Sequence, residues 1–140
     1  MMKYKNLHGY KYELQLTYRI TVDLPNAALP GKLPYVQIDG SVLSIRKNYM
    51  WDGPSGISID TLNFMRGSLV HDALYQLMRE EYLDKKYRDY ADRMLQTICL
   101  EDGMSSFRAW YVYQAVHLFA AGALKPEKNP RGKITIIEDK

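Results

Sequence analysis

One cysteine, Cys99, stands in a chain of 140 residues. No intrachain disulfide can form, so a secreted disulfide scaffold is excluded. Histidine is nearly as scarce, with His8, His71 and His117 the full set. Phosphohydrolases that use a His-Asp pair need further histidines on neighbouring helices, and the spacing of two histidines around a glutamate that marks zinc proteases is missing. Neither sign of charge dominates. The 19 Lys and Arg against 16 Asp and Glu leave a net +3, a weak pull toward acidic partners. Long apolar runs are absent too. The longest uncharged stretch, Ala109 to Leu124, falls short of the roughly 20 residues of a spanning helix and contains Gln114 and His117. It reads as a buried helix, with a membrane-surface role as the alternative. No apolar segment follows Met1 to Asn6, which predicts no signal peptide.

What is present is an ordinary globular composition, 46% hydrophobic and 25% charged. It predicts one domain over residues 1–140 with a real core. From Tyr12 to Leu24 the even positions are Leu14, Leu16, Tyr18, Ile20, Val22 and Leu24, and the odd ones are polar. That alternation predicts a half-buried strand. Pro25, Pro30 and Pro34 end it. Asp39-Gly40, between Tyr35–Ile38 and Ser41–Ile45, predicts a hairpin whose second arm runs on to Tyr49 or Trp51.

Three helices follow. The first starts at Leu62, after Asp60 or Thr61 as cap, and ends near Glu81 to Asp84. The second spans Lys85 to Glu101, with Gly103 as its stop. The third starts after Ser105 or Ser106, ends before Pro126, and is apolar nearly all round, which predicts the most buried helix. Lys125 to Lys133 reads as a solvated basic connector, which disfavours nucleic acid as a partner. Ile134 to Ile137 reads as a last strand joining the N-terminal ones. The expected fold class is α+β, a small antiparallel sheet packed with three core helices.

The first helix carries His71-Asp72-Ala73-Leu74-Tyr75. His71 and Tyr75, four residues apart, share a face, while Asp72 is turned about 100° away. One turn earlier stand Gly67 and Ser68. A helical side chain leans over the preceding turn, so the imidazole would lie over small residues with room for a ligand. The other account of Gly67 is close helix–helix packing. A histidine is the usual general base near neutral pH, and a carboxylate on its second nitrogen fixes the tautomer. His71 could equally be a structural residue, and Asp92 an exposed helix charge among Arg88, Asp89 and Arg93.

His-Asp-x-x-Tyr, on a helix preceded by Asp52-Gly53-Pro54-Ser55, resembles the phospholipase A2 superfamily, most closely its bacterial and fungal branch. The resemblance covers about Asp52 to Cys99 and includes Asp60 and Phe64 in the family's order. It implies a helix pair in which Asp92, on the second helix, orients His71, with Tyr75 holding Asp92. It also implies calcium, with Asp72, Asp52 and the Gly53 carbonyl as ligands, and a glycerophospholipid or membrane surface as partner. Val70 and Leu74 stand where that family often has cysteines. The sheet and the third helix are therefore expected to hold the two helices in register.

Trp51-Asp52-Gly53-Pro54-Ser55, followed by Gly67-Ser68-Leu69-Val70-His71-Asp72-Ala73-Leu74-Tyr75, also resembles a phage and prophage family of unknown function. That likeness implies a place in the host cytoplasm or the virion, and other phage proteins as partners. Two functions follow: a calcium-dependent ester hydrolase using a His-Asp dyad, or a non-enzymatic virion component or binding module with a degenerate helix pair.

Overall fold

The structure is a computed structural model and describes residues 2–6, 12–24, 33–51 and 62–119. Six short strands precede three helices. The strands are β1 (Tyr4–Asn6), β2 (Tyr12–Leu14), β3 (Tyr18–Thr21), β4 (Val36–Asp39), β5 (Val42–Ile45) and β6 (Met50–Trp51). The helices are α1 (Leu62–Arg79), α2 (Arg88–Glu101) and α3 (Ser106–Phe119). This is the α+β class. The strands form two three-stranded antiparallel sheets, ordered β1-β2-β6 and β3-β5-β4.

The alternating segment Tyr12 to Leu24 is therefore not one strand. It bends at residues 15–17, and Leu16, expected inside, is exposed. The partner segment bends opposite it, where Asn48 adopts φ 78°. The Leu14 N–H donates to the Tyr49 carbonyl, the Asn48 N–H to the Leu14 carbonyl, and the Lys47 N–H to Thr17 Oγ1. Register survives the bend. Tyr12 faces Trp51 and Tyr18 faces Ile45, with equal numbers of residues between the pairs on both sides. One long ladder is thus bent into two sheets.

The hairpin turn is Gly40-Ser41, one residue later than the Asp-Gly signal suggests, because Asp39 pairs with Val42. Gly40 has φ 62° and Ser41 is not left-handed, the combination of a type II′ turn.

Both α1, which ends at Arg79 and so slightly before the expected Glu81 to Asp84, and α2 are closed by a residue in the left-handed region. Gly103, at φ 96°, closes α2, with the Met104 N–H on the Cys99 carbonyl and the Gly103 N–H on Leu100. Glu81 does the same for α1 at φ 65°, with Tyr82 N–H on Leu77 and Glu81 N–H on Met78. Ser105 Oγ accepts from the Arg108 N–H and caps α3. No helix among the described residues is long and apolar enough to cross a membrane.

The most buried helix is α1, which buries fourteen of its eighteen residues, among them Leu69, Val70, Leu74 and Met78. The expectation that α3 holds this place is wrong. Ala109, Val112 and Val116 are buried, but Phe107 is 74% exposed, and Trp110, Tyr111 and Leu118 also face outward. Apolarity all round a helix left the sequence with no pattern to say which face packs.

Gly67 explains how α1 approaches α2 without a disulfide. A Cβ there would stand 2.9 Å from Leu95 Cδ1, 3.0 Å from Cys99 Sγ and 3.2 Å from the Leu95 carbonyl oxygen. Close packing is thus the reason for this glycine, and α2 fills the space that would have admitted a ligand there. Arg66 reinforces the contact at the far end of α2, at 2.7 Å from Glu101 and 3.0 Å from Asp102, and also donates to the Tyr18 hydroxyl.

The expected caps Asp60 and Thr61, the loop from Asp52 to Gly56, the connector from Lys125 and the strand Ile134 to Ile137 lie outside the described residues.

Candidate active site

The α1–α2 interface places three polar side chains in one buried cluster. His71 and Tyr75 sit one turn apart on α1, and their rings lie 4.2 Å apart between centroids. Asp92 reaches them from the second turn of α2. His71 Nε2 stands 2.8 Å from Asp92 Oδ1, and the Tyr75 hydroxyl donates to the same oxygen at 2.7 Å. Asp92 is 0% exposed and His71 only 2%.

A carboxylate only accepts, so Nε2 carries the proton that faces Asp92. In the neutral ring Nδ1 then holds the lone pair. Burial pushes the Tyr75 hydroxyl well above its ordinary range, and the hydrogen bond to Asp92 adds to this. Tyr75 therefore remains a hydroxyl and a donor at any ordinary pH.

A buried carboxylate needs compensating positive charge. Here Arg88 supplies it, with Nε 3.9 Å from Asp92 Oδ2, and the His117 ring on α3 brings Nδ1 to 3.5 Å from the same oxygen. Arg88 is one turn before Asp92 on the same helix, a spacing readable in sequence. His117 is brought in only by the packing of α3 on α2, which no local pattern reports.

The face of α1 next to this cluster is tied to the sheets. Trp51 Nε1–H donates to Ser68 Oγ at 3.1 Å, and Ser68 in turn donates to the Met65 carbonyl at 2.9 Å. The Tyr49 hydroxyl donates to Asp72 Oδ2 at 3.1 Å. Asp72 thus points away from His71, as the helical repeat requires, and toward the segment that leads into β6.

The expected calcium ligands are not brought together within the described residues. Asp72 is there, but Asp52 and Gly53 lie outside them. Among the described residues no group of three or more His, Cys, Asp or Glu side chains could hold a metal ion. Calcium takes six to eight oxygen ligands, and one carboxylate already hydrogen-bonded to Tyr49 does not make such a site. A polar cavity of about 390 Å³ opens elsewhere, lined by Thr17, Pro34, Tyr35, Arg46, Lys47 and Asn48, none of which belongs to the His71 cluster.

Cys99 takes no part in the cluster. It is a free, buried thiol against Gly67, and burial pushes its pKa up to about 12.

Comparison with family models, curated proteins and solved structures gives no match.

Proposed function

We propose that the chain is an ester hydrolase of phage or prophage origin in which His71 is the general base and Asp92, held by Tyr75, orients it. The observation that carries this reading is the buried hydrogen bond of 2.8 Å between His71 Nε2 and Asp92 Oδ1. The motif resemblance names the substrate class, a glycerophospholipid ester. In the reaction, His71 Nδ1 takes a proton from water as the oxygen attacks the ester carbonyl. The tetrahedral intermediate collapses, and the imidazolium returns the proton to the departing alcohol. Asp92 stabilises the imidazolium while it lasts. Calcium has one candidate ligand among the described residues, Asp72.

The test is hydrolysis of phospholipid vesicles and short-chain esters, each with added calcium and with chelator. Turnover that His71→Asn abolishes supports the reading. No turnover in any combination contradicts it.

A second reading, a non-enzymatic virion component or binding module, is favoured by two observations. His71 is almost fully buried, and α3 exposes Phe107, Trp110, Tyr111 and Leu118. Such a row of aromatic and aliphatic side chains suits contact with another protein or with a membrane surface. This reading predicts that the protein is found in purified particles and that His71→Asn leaves its role intact.

A further inference from the structure

Asp92 uses only one of its two oxygens. Oδ1 accepts from both His71 and Tyr75, whereas Oδ2 is buried with no hydrogen-bond partner among the described residues. Two other buried atoms with no hydrogen-bond partner stand beside it, Arg88 Nε and His117 Nδ1. Arg88 is already committed, since its guanidinium donates through Nη2 to the His117 carbonyl and so fixes the α3 backbone at that residue. The His117 side chain is 42% exposed, and its Nδ1 lies 3.5 Å from Oδ2, slightly beyond hydrogen-bond length.

We propose that His117 is a positioning residue for His71 that acts through Asp92. Protonated from solvent, its ring closes on Asp92 and donates Nδ1–H to Oδ2. The carboxylate is then shared by two histidines, one on each oxygen. A positive charge on the outer oxygen weakens what Asp92 offers to an imidazolium at His71. Release of that proton restores the full negative charge to the inner pair.

The surroundings of His117 are consistent with this role. From α2 it meets Arg88, Asp89 and Asp92, with Asp89 Oδ1 at 3.7 Å. On its own helix Tyr113 stacks against it, at 5.4 Å between centroids, and donates to Asp89. Arg93 lies over the Tyr113 ring at 5.3 Å and pairs with Asp89 at 2.7 Å. Tyr113 and Arg93 thus occupy Asp89, which leaves Oδ2 of Asp92 as the oxygen beside His117 that has no donor among the described residues. From α1, Tyr75 and His71 approach Asp92 on its other oxygen.

The inference rests on the reading of His71 and Asp92 as a working pair, but its test needs no substrate. The probe is the downfield proton resonance of His71 Nε2–H, with histidine ¹⁵N shifts, followed against pH in the full chain. In wild type this resonance moves over the pH range in which the His117 ring changes protonation. In His117→Gln that movement is lost. In Asp89→Asn it persists, because Asp92 is untouched. Persistence in His117→Gln, or loss in Asp89→Asn, overturns the proposal. Should His117→Gln fail to fold, wild type alone decides. A His117 Nδ1 that carries no hydrogen-bonded proton at any pH overturns it, and one that gains such a proton on acidification supports it. Absence of ester hydrolysis would sink the enzyme reading and leave this coupling standing.

Discussion

His71 on α1 and Asp92 on α2 share a hydrogen bond of 2.8 Å with both side chains out of solvent. The Tyr75 hydroxyl completes the pairing on the same oxygen. Replacing Asp92 with alanine leaves a ring N–H and a hydroxyl buried without a partner. Each such group costs about 1–3 kcal/mol. Asp92→Ala is expected to lower stability by roughly 2–5 kcal/mol in urea unfolding. A loss below about 0.5 kcal/mol would mean the cluster is not buried as described.

Tyr75→Phe removes one of the two donors and should cost about 1 kcal/mol at neutral pH. The variant should also differ from wild type in alkali. Burial and Asp92 raise the folded-state pKa of Tyr75 above its ordinary value of 10.0. The unfolded chain therefore loses this proton first, and stability falls as pH rises above about 10. Unfolding curves at successive alkaline pH values should show this contribution in wild type and not in Tyr75→Phe.

Cys99 should be chemically silent in the native protein. Its thiol is buried and its pKa is pushed up to about 12 from 9.0. The thiolate is the reactive form. Iodoacetamide at pH 8 is expected to modify Cys99 no faster than the protein opens, and rapidly in denaturant. Fast labelling of the folded chain would show that α1 and α2 separate there.

Gly67→Ala tests the close approach of the two helices. Alanine gains up to about 1 kcal/mol of helix propensity. Against this, its Cβ would meet Leu95 and Cys99 at 2.9 and 3.0 Å. Overpacking costs about 1–3 kcal/mol, so a net loss of roughly 1 kcal/mol is expected, and a larger one for Gly67→Val. Thermal unfolding measures both. An Ala variant more stable than wild type would contradict the packing.

Local signals were legible where one stretch of chain decides the outcome. The stop of α2 at Gly103 and the cap of α3 at Ser105 sit where the sequence marks them. Asp92 was a candidate because the motif resemblance implies an orienting aspartate on the next helix. Features set by contact between distant segments were not legible. The bend at residues 15–17 depends on hydrogen bonds from residues 47–49, thirty positions away in the chain. The exposed face of α3 depends on which of several apolar stripes meets α2. His117 lies 25 residues from Asp92, and only the crossing of two helices joins them.

The central claim is that His71 acts as a base, and one measurement tests it most directly. It compares phospholipid and short-ester hydrolysis by wild type with that of His71→Asn, which keeps a side-chain amide in place of the ring. General-base catalysis contributes about 10²–10⁴-fold. The account predicts a fall in kcat of that size with little change in KM. Equal turnover by the two proteins, or none by the wild type, would contradict it.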